Sequence, residues 1–546
     1  MHLRSLPGKF LPFVLGLAWF LGLLTPGFAG SGRAKKPIDL KPVRVPMLSI
    51  TTREARFHVA MLASEPFQGR ASGTPGQWLA AKYIATEFAD FELEAAGDHG
   101  KFYQNFQIEQ TVLKQTEFWT IESPTLAKTE FSYRADYALF PYSGADTLTA
   151  PIVFAGYGIT APEYQYDDYQ GVGVQGKIVL VLRHEPGEND PNSLFNGRQL
   201  TRHALFEEKA RNALNHGARA LILVNDPDSV KSTPAKHGFW PNYFPNHFAR
   251  QSWQIQKIFS RKQFPILWVS LKLAQKLLEH TGHSLKSLML AIDRRHKPVS
   301  FEIPNRYAHI KIGMVRNIRQ TQNVLARLQG SDPRLREQVV VVGAHFDHIG
   351  VVNGQIYPGA DDNASGTAGL LEIAEAFSEM PRKPRRSVLF IAFGAEELGL
   401  LGSEYYVENP VEPLANTVAM LNLDMISRNQ SNTVSIIGSD RSPELHWMNI
   451  AANEMIGLDL KYDGEKFFNQ SDHANFAKHR IPVIFYNTNI HPDYHRATDL
   501  ATKIDPEKLT RIARLAFLVA WEAANSEHPP TFHRFKIHRQ ALDTKN

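Results

Sequence analysis

The sequence predicts an α/β protein of three layers, with helices on both faces of a largely parallel central sheet. Two observations carry the prediction. Short apolar runs recur in the second half of the chain, at residues 339–342, 388–393, 420–423 and 481–486. Unbroken β-branched or apolar runs of that length mark strands buried on both faces. Between them lie stretches with helical spacing, such as Leu370, Ile373, Ala374 and Phe377, which share one face of a helix. The 546 residues are 43% hydrophobic and 21% charged, ordinary globular values for a chain long enough to build two or more domains.

Taken in order, the chain opens with Arg4 and Lys9, an apolar run over residues 10–24, and small residues about Gly27 and Ala29. This is the three-part layout of a signal peptide, residues 1–29, cleaved after Ala29. An uncleaved membrane anchor is the alternative, since the run is near the lower length for a span. A basic, proline-containing linker covers residues 30–50. Residues 51–149 form the first part of the main domain. There Thr74 is placed to cap a helix that has Pro75 at its first position, and Ala80, Tyr83, Ile84 and Phe88 make its apolar stripe. Residues 107–142 alternate in the manner of antiparallel strands.

The texture changes near residue 150. Strands at 151–154, 176–183, 220–224 and 266–269, with helices at 204–216 and 271–280, describe a small α/β module over residues 150–305. An aromatic-rich irregular stretch, 239–253, interrupts it. The module contains no catalytic constellation. Residues 306–526 return to the main domain and end in a helix over 506–525 with Asp505 as its cap. A polar, basic tail covers 527–546.

Composition removes several chemistries. There is no cysteine, which excludes disulfides, thiolate nucleophiles and cysteine-held zinc. Any metal must be bound by histidine and carboxylate. The net charge of +5 comes without a Lys/Arg cluster interleaved with aromatics, so no nucleic-acid face is expected.

What remains gathers at one sheet edge. His345 and Asp347 follow the valine run, and Asp361 and Asp362 stand in a Gly-bounded loop before a helix. Glu396 and Glu397 follow the next strand, Asp424 the third, and His491, Tyr494, His495 and Asp499 the last. In open parallel sheets the carboxyl edge of the strands is where ligands bind. Carboxylates so crowded repel one another, and one or two divalent cations resolve the conflict. Asp347, two residues from His345 on extended chain, points to the same side and is placed to orient its imidazole. Glu396 and Glu397 point apart, so the two have different tasks.

This ordered set resembles the co-catalytic di-zinc peptidase family of bacterial leucyl aminopeptidases over most of residues 50–525. The module 150–305 resembles a protease-associated domain inserted into that zinc-exopeptidase fold. The resemblance implies two zinc ions, one held by His345 and Asp424, the other by Glu397 and His495, with Asp362 bridging. It implies Glu396 as general base and Tyr494 as a partner of the oxyanion. It also implies a cis peptide bond between Asp362 and Asn363.

The implied substrates are peptides with a free N-terminus, cleaved outside the cytoplasm with no membrane insertion once the signal is removed. A carboxypeptidase or a glutaminyl-peptide cyclase on the same fold remains an alternative, as does a receptor-like binding protein without catalysis. Ser471, Asp472 and His473 are consecutive and cannot form a hydrolase triad, though a similar string lies near the pocket in the family. His491 acquires no role. The sequons at Asn363 and Asn469 read as chance matches at the site.

Overall fold

The valine run at 339–342 becomes the centre of the main sheet. In the computed structural model, which describes residues 42–123, 127–140, 142–191, 193–197, 200–227 and 253–533, the strand Val339–His345 lies between Ser387–Phe393 and Thr417–Leu423, parallel to both. Val483–Asn487 extends the sheet in parallel. Every residue of these four strands is buried, the reason that they read as continuous apolar runs. Thr433–Ile437 closes on the last of them in the antiparallel sense. Residues 1–29, read above as a signal peptide, most of the linker, most of the aromatic-rich stretch and the end of the tail lie outside the described residues.

Alternation along the strands assigns the two helical layers. Val339 and Val341 face a cluster with Tyr406, Val407, Phe476 and Ala477, from the helices Leu401–Glu408 and His473–Lys478. On the opposite face pack Gly366–Ser378 and Pro506–Asn525, and Thr52–Leu62 covers both. The start signals read from the sequence operate as expected. Asp505 accepts from the Lys508 amide with Pro506 at the first position, and Thr74 accepts from the Gln77 amide with Pro75 next to it. Among the described residues no helix is long and apolar enough to cross a membrane.

The second sheet has Thr147–Ala155, Ile178–Leu182, Ala220–Val224 and Ile266–Val269 in parallel, with Tyr137–Leu139 antiparallel at its edge. The helices here are shorter than the sequence predicts, Phe206–Asn215 and Leu271–Leu277. Among the elements that went unread are the helix Leu285–Arg295 and the strand Ser300–Leu328. The strand's 29 residues pair with Thr147–Ala155, with Tyr103–Glu122 and, at its far end, with Ser387–Phe393. It therefore joins the two halves into one sheet. Residues 306–312 alternate between buried and more open positions, but residues 315–320 are exposed or half-buried on both faces, so the apolar period that announces a strand breaks off midway.

Candidate metal centre

The four central strands end on one edge, and their last residues meet there. His345 Nε2 lies 3.3 Å from Asp424 Oδ1 and 3.5 Å from Asp362 Oδ1. His495 Nε2 lies 3.1 Å from Asp362 Oδ2 and 3.1 Å from Glu397 Oε2. Asp362 thus offers one oxygen to each of two clusters. Its Oδ2 and Asp424 Oδ1 are buried and accept no hydrogen bond. Oxygens in that condition, flanked by imidazole nitrogens, suit a divalent cation with N/O ligands. Glu396 Oε2 approaches His345 Nε2 at 3.9 Å, and the Tyr494 ring stacks on His495 with centroids 3.8 Å apart. His345, Asp362, Glu396, Asp424, Tyr494 and His495 line one cavity, which Met425, Phe467, Phe485 and Ile490 line as well.

The adjacent glutamates sit in opposite electrostatic surroundings. Burial raises the Glu396 carboxyl well above the usual range, and the neighbouring charges of Glu397, Asp424 and Asp472 add to it. For Glu397 burial also acts upward, but hydrogen bonds from His348 and His495 outweigh it and hold the group far down. Asp362 is pushed up to about 6 by burial and then by Glu397. His495 is raised to about 10, because the adjacent carboxylates of Asp362 and Glu397 overcome the effect of burial.

Around these groups lies a supporting layer. His345 Nδ1 is 3.2 Å from the main-chain oxygen of Asp347 and 3.9 Å from its carboxylate. That carboxylate accepts from Ser72 Oγ at 2.8 Å and from the Glu396 amide at 3.0 Å. Asp347 therefore meets His345 through its backbone and holds the Glu396 turn through its side chain. Asp361 Oδ1 accepts from the Ser427 amide and hydroxyl, and its Oδ2 lies 3.3 Å from His491 Nε2. Asp499 accepts from the amides of Asp361 and Asp362 at 3.0 and 3.1 Å. His491 and Asp499 thus hold the turn that presents Asp362. The Asp362–Asn363 peptide is cis, as expected, and Asn363 is fully buried, which closes that sequon to a glycan. Ser471 accepts from Asn422, whereas His473 stacks on Phe485, so the Ser-Asp-His string does not converge.

Two residues escaped the sequence reading. His348 is buried and donates from Nδ1 to Glu397 Oε1 at 2.7 Å. The second histidine of His-Phe-Asp-His was its only signal. Gly359 makes room for it: its φ is +57°, and a Cβ there would fall 2.5 Å from the His348 ring. Arg70 is the other. Fully buried, it donates to the carbonyls of Leu62, Phe346, Pro358 and Gly359 at 2.6 to 2.8 Å, tying the His345 loop to the Asp362 loop. Arg70→Ala leaves these oxygens buried and unpaired, a penalty of about 1–3 kcal/mol for each. The expected result is a loss of at least about 3 kcal/mol in urea unfolding, with the metal content falling alongside. An unchanged midpoint counts against the tie.

Comparison with known proteins agrees with this geometry. Peptidase family M28 matches residues 323–520, a span that holds every residue of both clusters, and the PA domain matches residues 148–252. Aminopeptidase YwaD of Bacillus subtilis (strain 168) is 26% identical over 410 residues, which cover 72% of this chain and 71% of that protein. A probable leucine aminopeptidase of Arthroderma otae is 29% identical over 255 residues, 41% of this chain and 70% of the other. Among solved structures, the aminopeptidase from Aneurinibacillus sp. strain AM-1 aligns over 90% of this chain and 98% of its own, at 22% identity and a TM-score of 0.45. The metal-type residues are thus collected in a span that matches peptidase family M28, and the second sheet falls largely in a span that matches the PA domain.

Proposed function

We propose that the protein is an exported zinc aminopeptidase that removes N-terminal residues from peptides. The observation that carries the reading is the pair of clusters sharing Asp362. His345 and Asp424 would hold one zinc, Glu397 and His495 the other, with Asp362 between them. Bound there, the ions lower the pKa of a water toward about 7 and polarise a carbonyl. The remaining steps belong to the chain. Glu396, beside the clusters but bonded to neither His348 nor His495, takes the proton of the attacking water and returns it to the leaving amine. Burial raises the Tyr494 phenol, so it stays protonated and donates to the developing oxyanion. Met425, Phe467, Phe485 and Ile490 line the same cavity and favour an apolar first side chain.

The test is metal analysis together with a panel of aminoacyl chromogenic substrates and their N-acetylated forms. Turnover of free but not blocked amines with two zinc equivalents supports the reading. Release of the C-terminal residue from N-acetylated peptides points instead to a carboxypeptidase, ring closure of N-terminal glutamine to a cyclase, and two bound ions without turnover to a binding protein. The signal peptide, residues 1–29, places the enzyme in the periplasm or the medium; N-terminal sequencing of exported protein beginning after Ala29 is the expected result, and an intact Met1 overturns it.

His348 acts in this scheme by orienting Glu397. His348→Ala is expected to weaken one zinc equivalent by about 10–100-fold in chelator competition, the usual loss for an outer hydrogen-bond partner. The other equivalent stays in place. Residues 150–305 act as a separate module without chemistry of their own. Excising them with a short linker should leave both ions bound while changing substrate range or stability; a folded variant that has lost both metals argues against the boundary.

A further inference from the structure

Away from the peptidase centre, a second set of donors collects where the helix Thr52–Leu62 packs on Gly366–Ser378. Glu54 and His58 are four residues apart on the first helix, Glu372 and Glu375 three apart on the second, so each pair shares a face. One carboxylate oxygen from each of Glu54, Glu372 and Glu375 lies within 4.8 Å of the others. Glu372 is fully buried. Its Oε2 accepts from the Thr51 amide at 2.7 Å, while its Oε1 is buried without a hydrogen-bond partner.

An imidazole faces that free oxygen. His58 is 4% exposed, and its Nε2 lies 3.9 Å from Glu372 Oε1. Its other nitrogen, Nδ1, is engaged by the Tyr83 hydroxyl at 2.5 Å. One ring nitrogen fixed by an outer partner and the other left to face a carboxylate is the arrangement of ligand histidines. Burial takes His58 down to about 4 against the pull of Glu54. It is therefore neutral near pH 7, the form that binds metal, and gives Glu372 no counter-charge. Arg514, from the helix Pro506–Asn525, spends one amino group on the Ile50 carbonyl at 2.7 Å.

We propose that Glu54, Glu372 and Glu375, with the His58 imidazole facing Glu372, form a binding site for one divalent cation, distinct from the peptidase centre, that clamps the N-terminal helix to the helix following Asp362. Three carboxylate oxygens beside an imidazole suit manganese. The competing occupant is a proton. Burial and the two neighbouring glutamates push Glu372 up to about 8, and burial with Glu54 pushes Glu375 to about 7.

The probe is Mn²⁺, added at pH 8 to protein whose catalytic clusters already hold two zinc equivalents. We expect one further Mn²⁺ per chain by elemental analysis, with the zinc count unchanged and the Tm rising with Mn²⁺ concentration. Glu372→Gln and Glu375→Gln should each lose that equivalent and the Tm response while keeping both zincs. Glu375 is only partly buried, so its variant serves if Glu372→Gln does not fold. Wild-type protein that takes up no third ion, or variants that retain it, would leave the proton as the occupant and overturn the site.

Discussion

Replacing Glu396 by Gln is expected to lower kcat at least about 100-fold, the low end for loss of a general base, with zinc content close to wild type. Gln keeps the size of the side chain but cannot take a proton. The reason to expect intact metal sites is geometric. The hydrogen bonds to His348 and His495 belong to Glu397, whereas Glu396 comes no nearer to His345 than 3.9 Å. The measurement is kcat on an aminoacyl p-nitroanilide beside elemental analysis of the same sample. A variant that keeps nearly full activity with both ions would end the general-base assignment; one that loses an ion would place Glu396 among the ligands instead.

Asp362→Ala should have the widest effect on metal binding. Each of its oxygens faces a different histidine, His345 at 3.5 Å and His495 at 3.1 Å, so one substitution strips a ligand from both clusters. Loss of an outer partner alone costs about 10–100-fold in metal affinity; loss of a shared ligand should cost more than about 100-fold for both equivalents. Chelator competition followed by activity measurement separates the outcomes. Weakening of a single equivalent would mean that Asp362 serves one ion and does not bridge.

The two glutamates show how far a linear reading reaches. That Glu396 and Glu397 differ in task follows from their being neighbours on the chain. Their opposite pKa shifts follow from His348 and His495, which the fold brings to one of them and not the other. The same division runs through the supporting layer, where the part of Asp347 that meets His345 is its main-chain oxygen, a choice that side-chain alternation does not make.

By itself the sequence determined whatever depends on chemically adjacent residues. The buried strands read as valine-rich runs because both of their faces are covered, and the last helix starts at Pro506 because Asp505 caps it. The metal-type residues could be found because each stands in, or in a loop after, the carboxyl end of such a strand. Tertiary structure alone decided what depends on partners far along the chain. Arg70 meets the Gly359 carbonyl 289 positions away, and the Thr51 amide meets Glu372 across 321. Nothing local marks either residue, since a buried charge is stabilised by groups that only the folded chain brings to it. The strand Ser300–Leu328 was hidden for a related reason. Its side chains alternate only over residues 306–312, and the rest of its length is fixed by backbone pairing with strands far along the chain.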